Sequence, residues 1–390
     1  MLRVSIVQSS YIKNLKGQVV FGDSIRIRKI IQTLQELGID VSEIQLPKIS
    51  KKALLTPSRL GNFSLNILPI HTSKNLPFST NTDDIIKQIE FTLSINHLYK
   101  ELHANRPDVV LSETSEVGWI SSLVTKKMRL PCIIDAHGLL FAEQIGNGYQ
   151  NWKKTFLREK EGFQNCQHLV VVSEKMKEYV SNEMGIEKSK ITIVPNGSDL
   201  ISPNAKYEKP LNVIYAGLFA YWERVHDFLD LAKKAPKQHF KFFLAGKGAN
   251  ENQIIDRIKQ EDIPINYLGY VPKQKISKLL SKMQIGIAPS TKDLARQIAS
   301  PIKVFDYMAA GLPVVTPNIG DWGQLIEKED AGIALANDSI ESYVEALETL
   351  TDEYTWTRKS SNSLRVISSQ YSWNKVIEPI GKLLLNYARK

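Results

Sequence analysis

The chain has 390 residues, which exceeds the usual limit of a single hydrophobic core, so we expect two domains of roughly 150–200 residues each. Hydrophobic residues make up 43% and charged residues 23% of the chain, proportions that are typical of a globular protein and exclude extended disorder. The formal net charge of +9 favours anionic partners such as nucleotide diphosphates, a membrane surface or nucleic acid; because no nucleic-acid-binding motif is recognisable, nucleic acid is set aside.

The cysteine content and the hydropathy pattern indicate the compartment. Cys132 and Cys166 are too few for a disulfide framework or a zinc site, so a reducing compartment is expected. The apolar run at the amino terminus is too short for a signal peptide, and no later run approaches the ~18 apolar residues that span a bilayer. We therefore expect a cytoplasmic protein, either soluble or peripheral on the cytoplasmic face of the membrane.

Alternating strand and helix patterns begin at the amino terminus. Residues 2–8 predict a buried strand, residues 24–37 an amphipathic helix and residues 40–46 a second strand. Gly17 and Gly22 lie between the first strand and the helix, where glycine lets the main chain approach a ligand. A plain surface loop is the alternative interpretation.

The same alternation continues with a helix at residues 83–104, a strand at 107–113 and a helix at 118–128. A strand that runs into a loop follows at residues 130–138. This order predicts a doubly wound parallel sheet, in which ligands lie at the carboxyl ends of the strands. Asp135 and His137 are placed at such an end. Because His137 follows a buried strand and precedes the flexible Gly138, we interpret it as functional rather than structural.

Aromatic and basic side chains alternate in a predicted helix over residues 151–163: Trp152, Lys153, Lys154, Phe156, Arg158, Lys160 and Phe163. We interpret this helix as amphipathic and packed on its own domain. The alternative is a patch that rests on anionic lipid. A strand-helix unit and a last strand then lead to residues 196–209, where Pro, Asn, Gly and Ser cluster in what we interpret as the interdomain linker.

The second half opens with a strand, a glycine turn and a helix over residues 211–235. Gly217 lets the main chain of that turn come near a phosphate. Arg224 is the only basic side chain close to it in sequence, which makes Arg224 a candidate for binding a diphosphate. Further strand-turn-helix units follow at residues 241–250 and 265–280.

Residues 284–316 predict a strand, a polar loop, a short helix and another strand. Ser300 suits the N-cap of that helix and Pro301 its first position. Lys303 and Asp306 lie three positions apart and so share one face. A helix start with a lysine beside it attracts phosphate, whereas a carboxylate one turn further accepts hydrogen bonds from sugar hydroxyls. The segment therefore predicts a nucleotide site; the alternative interpretation is a capped core helix whose Lys303 and Asp306 form a solvated ion pair.

Five motifs occur in order along the chain: VSE, VPNG, the glycine turn, LGYV and SPIKVFDYMAAG. Together they resemble the family 4-like glycosyltransferases (glycosyl transferases group 1), which are retaining enzymes with the GT-B fold. The resemblance implies an α/β protein of two facing Rossmann-like domains with parallel sheets, a cleft between them, and a C-terminal helix that crosses back to the first domain. We accordingly expect an acceptor-binding domain at residues 1–200, a nucleotide-sugar-binding domain at 201–370 and the crossing helix at 371–390.

The resemblance also implies roles for individual residues. Catalytic roles fall to His137, at the donor sugar, and to Lys303, at the donor diphosphate. Asp306 would hold the ribose hydroxyls, and the main chain of Tyr270 and Val271 would meet the nucleobase. The other donor-binding positions are Gly217, Arg224 and Ser300. Gly17 and Gly22 belong to the glycine loop that would face the acceptor and phosphate.

The chain departs from the family pattern at one position. Many relatives carry a glutamate eight positions before the ribose-binding acid, where it contacts the donor sugar, and here that position is Ile298. Arg296 and Gln297 are the candidates to replace it. No D-x-D motif stands in a suitable loop, so we expect no metal and no cofactor other than the donor substrate. The implied activity transfers a sugar from a UDP- or GDP-sugar to a hydroxyl of a glycan, a lipid-linked acceptor or a small molecule.

Three other interpretations differ in class. The first is a GT-B protein that binds nucleotide sugars with little or no turnover, and the second is a nucleotide-sugar epimerase of the same architecture. The third is an unrelated dinucleotide-dependent oxidoreductase, which the lack of a G-x-G-x-x-G motif after the first strand disfavours.

Overall fold

The structure is a computed structural model that describes residues 2–9, 22–47, 82–113, 115–199 and 205–388. Within these ranges the chain forms two six-stranded sheets, one in each half, and every strand pairing is parallel. Helices alternate with the strands and cover the sheets, as parallel sheets require because both of their faces must be buried. The predicted α/β class with two Rossmann-like units is confirmed.

The first sheet contains these strands of the described part: β1 (Arg3–Ser9), β2 (Asp40–Leu46), β3 (Val109–Glu113), β4 (Cys132–Ala136), β5 (His168–Val171) and β6 (Ile191–Ile193). Their spatial order is β2-β1-β3-β4-β5-β6, so the order reverses between β1 and β3. The inner strands β3, β4 and β5 are buried along their whole length, which is why their sequences are nearly continuous apolar runs.

The helices described in this half are α1 (Gly22–Glu36), α2 (Thr82–Asn105), α3 (Ser115–Met128), α4 (Leu140–Gly146), α5 (Trp152–Asn165) and α6 (Glu174–Met184). α1, α2, α3 and α5 agree with the predicted helices to within three residues at each end. α4 was not predicted, because it has seven residues and no side-chain cap at its start. α6 has clear signals instead: the Ser173 hydroxyl caps its start, and Gly185, with a φ of 73°, ends it.

α5 packs on its own domain, as the first interpretation of its sequence predicted. Phe163 is 2% exposed, and the ring of Phe156 lies edge-on against Phe141 with 5.1 Å between ring centres. The Arg158 guanidinium lies 4.5 Å from the centre of the Trp119 ring. These contacts use one face of the helix and leave the opposite face to solvent.

The second sheet contains these strands of the described part: β7 (Leu211–Leu218), β8 (Phe240–Lys247), β9 (Ile265–Gly269), β10 (Ile285–Ile287), β11 (Val314–Pro317) and β12 (Gly332–Leu335). Their spatial order is β12-β11-β10-β7-β8-β9, which is the Rossmann arrangement, with its reversal between β7 and β10. Two apolar clusters, one on each side of the sheet, form the core of this half.

The helices described in this half are α7 (Val225–Lys234), α8 (Glu251–Gln260), α9 (Lys273–Leu280), α10 (Leu294–Gln297), α11 (Ile302–Ala309), α12 (Gly320–Lys328), α13 (Ile340–Thr349) and α14 (Glu353–Val366). α10 stands where the sequence predicted a polar loop, and the Asp293 side chain caps it. The predicted start of α11 was wrong by one residue, because Pro301 rather than Ser300 takes the N-cap position. Ser300 instead bonds Asn196 of the first half.

The last helix, α15 (Trp373–Ala388), crosses back to the first half as expected. Trp373, Ile377 and Leu384 are buried in the same apolar cluster as residues of β1, α1 and β3. The contact is close at Gly381, where a Cβ would lie 2.7 Å from a methyl carbon of Leu37. The domain limits at residues 200 and 370 stay predictions, because the structure does not describe residues 200–204.

Candidate active site

A cleft of about 690 Å³ lies between the two sheets and is lined by residues of both halves. Ser9, at the end of β1, borders it from the first sheet, and Gly217, near the end of β7, borders it from the second. Both points at which a strand order reverses therefore open onto one cleft, which is where doubly wound sheets bind ligands. Its volume falls within the range of about 300–1,000 Å³ that is usual for small-molecule sites.

Most of the site residues predicted from the sequence line this cleft. His137 comes from the first half, where it follows β4. The second half contributes Gly217, Tyr270, Val271, Ser300, Lys303 and Asp306. The structure thus brings together residues that are far apart in sequence, while their individual roles stay predictions.

Lys303 lies in the first turn of α11, where its side chain is only 12% exposed. Its ammonium contacts a carboxylate oxygen of Glu223 and lies 3.2 Å from the Tyr215 hydroxyl. The Arg296 guanidinium lies 3.9 Å from the other oxygen of Glu223. Two cations therefore converge on one buried carboxylate beside the start of a helix, and sequence analysis had not singled out Glu223.

The protonation of this pair follows from burial and charge. Burial lowers the pKa of the Lys303 ammonium, and the negative charge of Glu223 opposes that effect. Burial alone would raise the pKa of the Glu223 carboxyl, but the charges of Lys303 and Arg296 outweigh it and hold that pKa below its ordinary value. Glu223 is therefore ionised at neutral pH.

Gly217 makes room for Lys303. A Cβ at this position would lie 2.8 Å from Lys303 Nζ, closer than real Cβ atoms come to such a group, and 3.1 Å from the Tyr215 hydroxyl, which is also tight. Any larger residue would displace the ammonium from its present place. The glycine that the sequence associates with close approach to a phosphate thus also admits the cation that would meet that phosphate.

Asp306 lies on the next turn of α11 and is 8% exposed. One carboxylate oxygen accepts a hydrogen bond from the Ser198 hydroxyl at 2.6 Å, and the other accepts one from the Lys273 ammonium at 2.6 Å. A carboxylate has about four lone-pair positions, so two acceptor positions remain for the hydroxyls of a sugar. Lys273 follows the turn that contains Tyr270 and Val271, and sequence analysis had not assigned it to the site.

A further lysine, from the end of β8, lies beside the turn that follows β9. Gly269 ends that strand with a φ of 64°, which turns the chain so that Tyr270 and Val271 line the cleft. The ammonium of Lys247, which also lines the cleft, lies 4.8 Å from the centre of the Tyr270 ring. Lys247 therefore adds positive charge to this end of the cleft, where the charge of Lys273 is paired with Asp306.

A buried network joins the loop of His137 to the start of α11. Asp135 binds the Arg26 guanidinium through both carboxylate oxygens, at 2.8 and 2.7 Å, and both side chains are 1% exposed. Arg26 also donates to the Asn196 side-chain oxygen at 3.1 Å. The Asn196 side chain donates in turn to the Ser300 carbonyl at 2.6 Å. The network links Ser300, from the second half, to Asp135 of β4, the strand that His137 follows.

Arg224 does not line the cleft, and its role in donor binding stays a prediction. Its guanidinium pairs with Asp227 at 2.5 Å and with Asp338, away from the residues that line the cleft. Arg224 also has a φ of 43°, in the left-handed region that few non-glycine residues adopt. Arg296, rather than Arg224, is the arginine of the second half that lines the cleft.

The predicted glycine loop lies largely outside the described part of the chain. Gly17 falls in residues 10–21, which the structure does not describe. Gly22 is the first residue of α1. The acceptor- and phosphate-facing role of both glycines stays a prediction.

Ile298, which replaces the expected sugar-facing glutamate, points away from the cleft. It is 1% exposed and belongs to the apolar core of the first half. Of the two candidates to replace that glutamate, Gln297 is exposed and donates to the Lys292 carbonyl at 2.8 Å, whereas Arg296 lines the cleft. The position therefore serves contact between the halves, and only Arg296 is placed to meet a ligand.

Other contacts hold the two halves against each other. The Asp321 carboxylate accepts hydrogen bonds from the main-chain N–H groups of Glu174 and Lys175, at 2.5 and 3.3 Å, at the start of α6. The Ser173 hydroxyl donates to the Ile298 carbonyl at 2.6 Å. An anion of one half thus meets the positive end of a helix of the other.

The residues that the structure describes contain no candidate metal centre. No group of three or more His, Cys, Asp or Glu side chains in them is arranged to hold a metal ion. Metal independence of the reaction stays a prediction.

Comparison with known families accounts for both halves. Residues 24–201 match Glycosyltransferase Family 4, and residues 210–353 match Glycosyl transferases group 1. The chain is 22% identical over 330 residues to the UDP-Gal:alpha-D-GlcNAc-diphosphoundecaprenol alpha-1,3-galactosyltransferase of Escherichia coli. This match covers 77% of this chain and 81% of that protein. It is 21% identical over 226 residues to glycogen synthase of Mycobacterium tuberculosis; the match covers 56% of this chain and 53% of the synthase, about half of that relative's length.

Solved structures share the fold over the whole chain. Sucrose-phosphate synthase from Thermosynechococcus elongatus superposes with a TM-score of 0.76 at 12% identity, covering 100% of both chains. HepE of Anabaena in complex with UDP-glucose superposes with a TM-score of 0.69 at 13% identity, covering 99% of this chain and 100% of that one. Because the two family matches together cover most of the sequence and the fold agrees with both, the chain belongs to the family 4-like, group 1 glycosyltransferases of the GT-B fold.

Proposed function

We propose that the protein is a retaining glycosyltransferase that moves a sugar from a UDP- or GDP-sugar to an acceptor hydroxyl, without a metal or a further cofactor. The first domain, residues 1–200, binds the acceptor, and the second, residues 201–370, binds the nucleotide sugar. The acceptor is a glycan or a lipid-linked molecule. The names of the E. coli galactosyltransferase and of the Anabaena complex support UDP-sugars and a lipid-linked acceptor as the chemical classes to test first.

The observation that carries the proposal is the cationic cluster at the start of α11. Lys303 and Arg296 lie beside main-chain N–H groups that have no partner within the helix, and Asp306 lies one turn away. Charge of this sign stabilises the diphosphate as negative charge accumulates on it during bond cleavage. Preorganised electrostatic stabilisation of this kind is usually the largest single contribution to catalysis.

His137 acts on the sugar from the other side of the cleft. It follows β4 and faces the cleft that Lys303 lines from the second half, so a donor held by α11 presents its sugar toward the first domain. In this proposal the acceptor's proton passes to an oxygen of the departing diphosphate. His137 then orients and polarises the sugar and forms no covalent bond to it.

Stabilisation by bare nucleotide tests the proposal most directly. UDP or GDP at about 100 times its dissociation constant adds about 2.7 kcal/mol to the free energy of unfolding, so the melting temperature should rise by a few degrees. The rise should persist in the presence of a chelator. Differential scanning fluorimetry with a panel of nucleoside diphosphates measures both effects. A rise that disappears with chelator would make the metal-free claim wrong, and no rise with any nucleotide would remove the donor class.

One observation favours a second candidate, a protein that binds nucleotide sugars with little or no turnover. Ile298 is buried in the core of the first half, so the side chain at this position makes no contact with a donor sugar. The slow release of nucleoside diphosphate from the full donor, measured without acceptor by a coupled assay, decides between the two. Release above the uncatalysed rate supports the transferase; tight binding with no release, with or without acceptors, supports the binding protein.

Exposed apolar side chains at the corner between α4 and α5 support a peripheral membrane contact. Ile145, Tyr149 and Leu157 are 47%, 63% and 64% exposed. Lys153 and Lys154 are exposed beside them on the first turn of α5. Apolar side chains flanked by lysines suit the interface of an anionic bilayer. None of the described helices has the length and apolar character that crossing a bilayer requires.

Replacing Leu157 by glutamate should weaken binding to vesicles that contain anionic phospholipid, because the change removes apolar contact area and adds a like charge. Flotation at low and high salt measures the bound fraction. Tyr354→Ala is the matched control, since Tyr354 is 74% exposed but lies on α14 in the second half. Equal flotation of the protein with neutral and anionic vesicles, or an equal loss in both variants, would contradict the proposed contact.

A further inference from the structure

Glu223 is a carboxylate in the very place where the proposed function calls for positive charge. It is 5% exposed and ends a short 3₁₀ turn, Tyr221–Glu223, between β7 and α7. If Glu223 faced the diphosphate without neighbouring cations, its negative charge would repel the donor. The structure instead places two cations of the site beside it, Lys303 and Arg296.

Groups from three elements face Lys303. Glu223 contacts its ammonium from the 3₁₀ turn, the Tyr215 hydroxyl lies 3.2 Å away on β7, and Arg296 reaches the same carboxylate from α10. The Tyr307 hydroxyl, on the same helix as Lys303, is occupied elsewhere, since it accepts from the Ala216 main chain at 2.7 Å. An ammonium has three protons, and two have acceptors here, so one remains for an oxygen of the ligand.

The charges explain why a carboxylate is useful at this position. A lysine as buried as Lys303 loses hydration, and Arg296 adds like charge; both lower the pKa of its ammonium. Glu223 is the negative group that opposes them. The carboxylate also fixes the direction of a side chain that would otherwise have four rotatable bonds in the cleft.

We propose that Glu223 is a positioning residue, which keeps Lys303 cationic and aimed at the diphosphate site before the donor binds. The inference rests on the proposed function, because it presupposes a diphosphate ligand. Glu223 itself contacts no substrate atom in this proposal and acts through Lys303 and Arg296.

Replacing Glu223 should make activity fall at lower pH on the alkaline side than in the wild type. Replacing Glu223 by glutamine removes the group that opposes burial, so the pKa of Lys303 falls and the lysine loses its proton at lower pH than in the wild type. Activity that needs the cation is then lost earlier on the alkaline side. We expect the ratio of kcat/KM between Glu223→Gln and wild type to fall by about tenfold or more between about pH 7 and about pH 9.

Glu261 offers a matched control. It pairs with Lys233 and Arg257, both at 2.8 Å, and so has the same combination of partners as Glu223, but its side chain is 35% exposed and it lies outside the cleft. Glu261→Gln should leave kcat/KM unchanged at both pH values. A tenfold fall in Glu223→Gln with none in Glu261→Gln supports the proposal, whereas a ratio that is independent of pH overturns it.

A measurement on the wild-type protein tests the inference even if the Glu223→Gln variant fails to fold. Titration calorimetry of UDP at about pH 8.5, in two buffers with different ionisation enthalpies, gives the number of protons taken up on binding. We expect close to none for the wild type, because Lys303 is already charged, and a clear uptake for Glu223→Gln. Uptake of about one proton by the wild type would overturn the inference. Binding of UDP in either buffer tests the proposed function separately from the proton count.

Discussion

Lys303→Ala is expected to lower kcat by roughly 30- to 900-fold, which corresponds to a loss of about 2–4 kcal/mol of transition-state stabilisation. Lys303 is buried beside the start of α11, where its charge is fixed before the reaction begins. Its interaction strengthens as the diphosphate departs, so its loss should appear in kcat more than in KM. Steady-state kinetics with the full donor, at saturating acceptor, measures this effect.

The variant also leaves the buried Glu223 without its contacting cation, with Arg296 3.9 Å away and the Tyr215 hydroxyl at 3.3 Å, so a loss of stability has to be separated from a loss of chemistry. The double variant Lys303→Met/Glu223→Gln removes both charges of the buried pair. It should regain the melting temperature that Lys303→Ala loses, while its kcat stays low. Recovery of turnover together with stability would show that Lys303 supports the fold rather than the reaction.

The architecture was predictable because its signals are local. β3, β4 and β5 are buried on both faces, so their sequences are apolar runs bounded by polar turns, and the helices between them keep a regular apolar spacing. The order of these elements then restricts the chain to a doubly wound parallel sheet. α4 and α10 escaped prediction because helices of seven and four residues carry too little periodicity.

The site was predictable where a motif fixes the local backbone and unpredictable where the tertiary structure decides. Lys303 and Asp306 share a face of one helix, and both line the cleft. Glu223 and Arg224 are neighbours in sequence, yet the carboxylate of Glu223 lines the cleft and the Arg224 guanidinium pairs with Asp227 and Asp338 instead. Lys273 meets Asp306 across 33 residues of chain, a pairing that no sequence spacing indicates.

Contacts between the halves explain another failure of the sequence argument. Residues 289–299 contain enough polar residues to resemble a loop, and a loop next to a nucleotide site would be expected to present side chains to the ligand. In the structure Ile298 instead joins the apolar core of the first half, with Leu294 and Ala295 packed beside it. Ile298 packs against residues that lie more than a hundred positions earlier in the chain. Its apolar side chain was visible in the sequence, but the residues that it contacts could not be identified from it.

The second large effect is expected from His137→Ala, in comparison with Asp306→Ala. His137 lines the cleft from the first half and is proposed to meet the sugar, so its removal should lower kcat on the order of 100-fold, as the loss of one preorganised polar contact does. UDP lacks the sugar, and its affinity should therefore stay nearly unchanged. Asp306→Ala should do the reverse: hydrogen bonds from ribose to a carboxylate are worth about 1.5–3 kcal/mol, so UDP affinity should fall roughly 10- to 150-fold and the loss should appear mainly in KM.

Lys273 provides the control for Asp306, because the Asp306 carboxylate also holds the Lys273 ammonium at 2.6 Å. Lys273→Met keeps the carboxylate and removes only that ion pair. If Asp306 binds ribose directly, calorimetric titration with UDP should show a much larger loss for Asp306→Ala than for Lys273→Met. Equal losses would mean that Asp306 acts only by placing Lys273. Should His137→Ala lose UDP affinity as strongly as Asp306→Ala, or keep full turnover, His137 has a structural role, and the sugar must be held by other residues of the first domain.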